Sequence, residues 1–261
     1  MGIPGLFKLV KSKDVAMTQY NSLEELASKN PSELILIDFF AIFYWFIYYT
    51  CRFIRKNIKN QEFLKSFFAK LFSGIKNLIV VFDGGRSINK HQTSLKRLET
   101  MEKAAEKAQT YLKEGSRLGK SKWKKLLKCM VAAAPIPDET IIDLKNFLSG
   151  KGITVETAEY EADVWIAKKT QITSSIAVST DSDFFIHCSK FGNCHFKSFQ
   201  KSFHVSVVHR DAILSKMHLS LDQLEVLAVV SRNDYCRNAY GYGLIKNLKM
   251  VFLILILDKT L

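Results

Sequence analysis

Three short apolar runs in this chain each stop at an aspartate: residues 34–37 before Asp38, residues 78–82 before Asp83, and residues 175–179 just before Asp181. Runs of this length, rich in Ile, Val and Leu, suit strands buried on both faces of a parallel sheet. In open α/β sheets, ligands bind beyond the carboxyl ends of the strands. Three carboxylates at that edge repel one another and resist desolvation, so the arrangement calls for a bound cation. Mg²⁺ suits an all-oxygen site that keeps waters and takes phosphates. Asp183 adds a further acid. If the backbone there is extended, positions 181 and 183 face the same way and can share one centre. The alternative for each aspartate is a cap on the turn or helix that follows its strand.

The rest of the chain alternates in the same manner. Residues 41–73 favour helix, residues 87–128 form a long charged helix-favouring region, and residues 139–152 form an amphipathic helix stopped by Gly150 and Gly152. A short strand is expected in 153–158, a helix in 161–170, strands in 193–199 and 204–209, and a helix in 220–231. Such alternation predicts an α/β fold with a central, mainly parallel sheet flanked by helices.

Charge points to the partner. The chain carries a net charge of +13 over 261 residues, which suits a polyanion, nucleic acid before acidic lipid. Residues 86–128 hold 13 basic and 4 acidic residues, +9 of that total. The five cysteines are odd in number and form no C-x-x-C, so reduced thiols in an intracellular compartment are expected. His187-Cys188 and Cys194-His195 are neighbours whose side chains diverge on a strand, which argues against zinc. No secretory signal opens the sequence, and position 6 is not Ser or Thr, against myristoylation. Residues 34–54 are long enough to cross a bilayer, but Asp38 interrupts them. They are expected instead to be a buried strand feeding an aromatic helix, and no membrane partner is expected. The tail 250–257 is too short to span.

Five motifs carry a resemblance: "MGIPGLFKLVK" at residues 1–11, "VVFDGG" at 80–85 followed by Lys90 and Lys96-Arg97, "EYEAD" at 159–163, "STDSDFF" at 179–185, and "NDYC" with "GYG" across 233–243. Together, over residues 1–246, they are similar to the flap endonuclease family of structure-specific 5′ nucleases, which includes the XPG-type repair nucleases within the PIN-like superfamily. The resemblance implies a PIN-like 5′-nuclease sheet with a helical gateway insertion and a C-terminal helix–two-turn–helix. It divides the chain into an N-terminal nuclease region (1–105), a basic gateway or cap (106–128), an internal nuclease region (129–230) and a partial helix–two-turn–helix (231–261). The family hydrolyses phosphodiester bonds of branched DNA near 5′ flaps or 5′ ends.

The implied metal ligands are Asp38, Asp83, Glu161, Asp163, Asp181, Asp183 and Asp234, holding two Mg²⁺ ions for which Mn²⁺ can substitute. Pairing Glu161 with Asp163 rests on the resemblance, since i and i+2 diverge on a helix. Lys90 and Arg97 are implied catalytic cations at the scissile phosphate, with Lys96 beside them. Seven residues apart, Lys90 and Arg97 can share a helix face. The alternative is a solvated basic face. Lys120, Lys122, Lys124 and Lys125 surround Trp123 in the gateway, where phosphate contacts and base stacking are implied. An ordinary helix with Trp123 as a core anchor is the alternative. Gly2 is implied near the DNA junction, and Gly241 and Gly243 at a turn that holds duplex DNA and K⁺.

The chain departs from the family where Arg232 and Asn233 replace small residues, and it stops at Leu261, which reads as a truncated or divergent form. "QEFLKSFF" at 61–68 fits a sliding-clamp motif, but Leu64, Phe67 and Phe68 have the spacing of a buried helix face, so clamp binding is not expected. A nuclease for replication and repair is expected in the nucleus or another site where DNA is processed. Two other readings stay open: a catalytically inactive relative that binds nucleic acid, and a PIN-type RNA nuclease.

Overall fold

The computed structural model describes residues 3, 5–53, 59–85, 91–114, 119–133, 136–197, 202–231 and 242–257, with some side chains at segment ends excluded. Of the residues singled out in the sequence, Gly2, Lys90, Asp234 and Gly241 lie outside the described residues, as do the side chains of Lys96, Arg97 and Lys120. The chain divides into two packed units, residues 1–43, 71–86 and 153–261 in one, residues 44–70 and 87–152 in the other.

The first unit holds a seven-stranded sheet in the order β1-β7-β6-β5-β2-β3-β4. Its strands are β1 (Met17–Tyr20), β2 (Leu34–Asp38), β3 (Leu78–Phe82), β4 (Thr154–Thr157), β5 (Ser175–Ser179), β6 (Lys190–Lys197) and β7 (Ser202–His209). Five strands from β6 to β4 are parallel, while β7 and β1 close one side antiparallel. The apolar runs become the middle of this sheet: every residue of β5 is buried, and all of β2 beyond Leu34. Strands covered on both faces need continuous apolar sequence, and these supply it.

The path of the chain matters for the site. From β2 it moves out through β3 to β4. It then returns through helix α8 (Ala162–Ile172) to β5, on the other side of β2. The strand order therefore reverses at β2, and the crevice at such a reversal is where α/β sheets place ligands.

Short helices lock the edge around that reversal. After β5 the chain turns into the four-residue helix α9 (Phe184–His187), and Phe184 and Phe185 are buried in the core. Phe185 stacks on Phe7 of helix α1 (Leu6–Ser12), ring centroids 6.0 Å apart, and meets Phe191 of β6 edge-on at 4.7 Å. The two phenylalanines after Asp183 thus anchor the acidic loop.

The second unit is helical. It contains most of α3 (Phe39–Phe53) and α4 (Lys59–Phe72), with α5 (His91–Lys113), α6 (Lys120–Ala132) and α7 (Asp138–Gly150). Phe46 packs on Phe67 at 4.6 Å, and the Tyr48 hydroxyl donates to the Met130 carbonyl at 2.7 Å. Leu64 and Phe68 are buried, so the clamp-like motif faces inward as its spacing predicts. Leu126 of α6 is buried beside Ala108 of α5. Trp123 points the other way, 47% exposed, which corrects the core-anchor alternative. Lys122 pairs with Glu114 at 2.6 Å, while Lys124 and Lys125 are exposed.

The remaining helices belong to the first unit: α2 (Leu23–Lys29), α10 (Arg210–Met217), α11 (Leu221–Val230) and α12 (Leu244–Leu257). Among the described residues no helix is long and apolar enough to cross a membrane.

Candidate metal centre

The ends of β2, β3 and β5 bring Asp38, Asp83 and Asp181 to one edge of the sheet. In the β2–β5 register Ile37 pairs with Val178, so Asp38 comes level with Ser179. In the β2–β3 register Asp38 pairs with Val81, so Asp83 lies two residues further along β3. Asp38 is buried. Its Oδ2 accepts a hydrogen bond from Ser179 Oγ at 2.8 Å, and its Oδ1 accepts the Ala41 N–H at 3.3 Å.

Asp83 is fixed by the chain crossing beside it. Gly84 N–H donates to the Tyr160 carbonyl at 2.7 Å, and Gly85 N–H to the Glu159 carbonyl at 2.9 Å. That pairing brings the amino end of α8 against Asp83, whose Oδ1 accepts the Ala162 N–H at 2.8 Å. A carboxylate at a helix amino terminus satisfies an orphan donor and meets the positive end of the dipole. Glu161 is the cap residue of this helix and has extended dihedrals, φ −111° and ψ 138°. The objection that i and i+2 diverge on a helix therefore does not apply, because Glu161 precedes the helix and Asp163 lies in its first turn.

The Asp181–Asp183 pair corrects one expectation. The backbone there is not extended: Asp183 has φ −65° and ψ −25°, the right-handed helical region. The two acids are linked instead by a tight turn in which the Asp183 N–H donates to Asp181 Oδ1 at 3.1 Å. This is an Asx-turn, a side chain bonding the backbone two residues on. The loop is tied at both flanks. Thr180 Oγ1 donates to the Ala41 carbonyl at 2.8 Å, and Ser182 Oγ to the Ile3 carbonyl at 3.1 Å. No sequence motif marks Ser179 or Ser182 as a site residue. The available signal was a hydroxyl inside and just after an otherwise apolar strand.

Electrostatics couple the three strand ends. Burial, and next the charge of Asp83, push the Asp38 carboxyl up to about 7; the bonds from Ser179 and Ala41 oppose this, and Asp163 adds a smaller upward push. Oε2 of Glu161 and Oδ1 of Asp183 are also shut away from solvent. The donors are hard oxygens held at one edge, which fits a divalent cation such as Mg²⁺. Among the described residues, no three acidic, histidine or cysteine side chains already stand in a ligating group.

The raised value sets a pH dependence. Asp38 holds its proton more tightly folded than at its ordinary value of 3.8. Its stabilising contribution is therefore complete below about pH 4 and is lost as pH rises through about 7. In EDTA, the urea midpoint of the chain should fall between about pH 4 and pH 7. Asp38→Asn should flatten that part of the profile, and an unchanged profile would remove Asp38 as its source.

Gly243 is exposed at the start of α12, its carbonyl accepting the Asn247 N–H at 2.9 Å. Lys96, Arg97 and Lys120 lie on the backbones of α5 and α6. Cys188 and Cys194 are buried thiols, and burial pushes both above their ordinary value.

With this geometry, residues 1–104 match the family model of the XPG N-terminal domain. The fold is similar to the catalytic core of Rad2 in complex with DNA substrate, at a TM-score of 0.60 and 18% identity, over 97% of this chain and 67% of that one. Human GEN1 in complex with Holliday junction DNA gives a TM-score of 0.59 and 15% identity, over 96% of this chain and 55% of that one. Flap endonuclease-1 from Methanococcus jannaschii gives 0.55 and 20%, over 93% and 76%. No curated protein matches the chain by sequence. The sheet with its flanking helices is the 5′-nuclease fold of these proteins.

Proposed function

We propose, from the match of residues 1–104 to the XPG N-terminal domain together with the 5′-nuclease fold, that the chain is an XPG-type, metal-dependent, structure-specific nuclease acting on branched DNA near 5′ flaps or 5′ ends. The observation that supports this most is the coupling of Asp38, Asp83 and Asp163 at the reversal of strand order, with Ser179 joining Asp38 to the Asp181 loop. Asp38, Asp83, Glu161, Asp163, Asp181, Asp183 and Asp234 would hold two Mg²⁺ ions, with Mn²⁺ as a substitute. Bound there, the ions would lower the pKa of the attacking water and offset charge building on the phosphate and the leaving oxygen.

The chain's own residues supply the rest. Lys90 and Arg97, with Lys96, would hold the scissile phosphate and offset its charge. Lys120, Lys124 and Lys125 would grip backbone phosphates in a salt-dependent way. Exposed Trp123 would stack on a base of a single strand. Lys122 has Glu114 to displace before it can grip a phosphate. Gly2 would lie at the junction, and Gly241 with Gly243 would let duplex backbone and K⁺ approach. Such substrates arise in replication and repair, so the nucleus or another DNA-processing site is the proposed setting.

A cleavage panel tests the reading: 5′ flap, nick, gapped duplex, single strand and RNA hairpin, each with Mg²⁺ and with EDTA. The expected result is Mg²⁺-dependent cutting of the flap ahead of the other substrates. Cutting of the RNA hairpin alone, or of nothing, would overturn it.

A further inference from the structure

We propose that Ser179 is a positioning residue of the metal centre, one hydroxyl that sets Asp38 and Asp181 in a common frame; this rests on the metal-dependent reading above. Ser179 is fully buried at the last position of β5, in a strand whose other inner residues are apolar. A buried hydroxyl needs partners to offset its lost hydration. This one has two, from opposite sides of the strand reversal. Its proton goes to Asp38 Oδ2 at 2.8 Å, and its oxygen accepts the Asp181 N–H at 3.1 Å.

A serine hydroxyl has a single proton. With a backbone N–H directed at its oxygen and a carboxylate in front of its proton, the donor direction is set. The bonds run on from there, since Asp181 Oδ1 accepts the Asp183 N–H. Three of the proposed ligands on two separate elements are therefore linked through one side chain. Groups that hold ligands in place are where metal affinity is tuned. Loss of one typically costs about 10–100-fold in affinity.

The test is a Mn²⁺ titration of the whole purified chain, read by the electron paramagnetic resonance signal of free Mn²⁺, with circular dichroism to verify folding. Ser179→Ala should weaken Mn²⁺ binding about tenfold or more. Ser179→Thr, which keeps the hydroxyl and suits a strand, should stay within about threefold of wild type. A hydroxyl with a merely structural role would alter the melting temperature and leave Mn²⁺ affinity alone.

Ser179→Cys keeps the volume with a weak donor and should behave like Ser179→Ala. It carries the test if the alanine variant does not fold. Asp38→Asn separates the two levels. If it loses binding while Ser179→Ala and Ser179→Cys bind like wild type, Ser179 has no positioning role. If wild type and Asp38→Asn bind Mn²⁺ equally poorly, the metal reading itself fails.

Discussion

Asp181→Ala should lower Mg²⁺-dependent cleavage of a 5′-flap DNA by at least about a thousandfold, while affinity for the uncut DNA changes by less than about threefold. Asp181 is buried just past β5, its amide bonded to Ser179 and its carboxylate to the Asp183 amide. Truncation removes one hard oxygen donor and releases the turn that carries another. A thousandfold loss is about 4 kcal/mol of transition-state stabilisation. DNA affinity draws instead on phosphate contacts from basic side chains, and the 13 basic residues between positions 86 and 128 are unchanged by the substitution. Asp181→Asn keeps an oxygen for the Asp183 amide and lacks only the charge, so it should be equally inactive if charge is what matters. Single-turnover cleavage in Mg²⁺ and binding in EDTA separate the two quantities. Undiminished cutting by either variant would reject this centre.

The framework of that site was legible because each piece has a local cause. Ile35–Ile37, Val80–Phe82 and Ile176–Val178 are continuous apolar runs, and continuous apolar runs become central parallel strands. Their terminal acids then land on one edge by topology alone. What stayed hidden depends on bonds between distant residues or on local competition with the backbone. Strand β1, Met17–Tyr20, has no clear alternation and is defined by antiparallel pairing with Val205–Val208. The Asp181–Asp183 segment reads as a continuation of its strand, yet the Asp181 carboxylate captures the Asp183 amide and turns the chain. The region 87–128 reads only as helix-favouring, with no break marked. Its described residues form α5 and α6, with Gly119 as the extended cap of the second. Ser179 carries no pattern of its own, and its role becomes visible only when register puts Asp38 across from it.

Among the described glycines, Gly84→Ala should be the most damaging addition of a methyl. A Cβ at Gly84 would lie 1.8 Å from the Ala158 carbonyl oxygen and 2.8 Å from that of Glu159. Both obstacles are backbone, and that backbone is held in place. Ala158 N–H donates to the Phe82 carbonyl at 2.9 Å, and Tyr160 and Glu159 accept from Gly84 and Gly85. Either the end of β3 or the 158–160 segment has to give way.

Each movement parts Asp83 from the Ala162 N–H and carries Glu161 with it, so stability and chemistry fail together. Overpacking of this kind costs about 3 kcal/mol, a fall in melting temperature of roughly 6–12 °C for a chain of this size. Misplacing ligands by about 1 Å lowers cleavage roughly a hundredfold. Gly85→Ala is the graded comparison, its nearest contact being the Glu159 oxygen at 3.3 Å, and Gly119→Ala meets nothing within 4 Å. The expected order of damage is therefore Gly84, then Gly85, then Gly119. If Gly84→Ala melted and cut like wild type, the close crossing of residues 84–85 and 158–160 would not be what holds Asp83 in place.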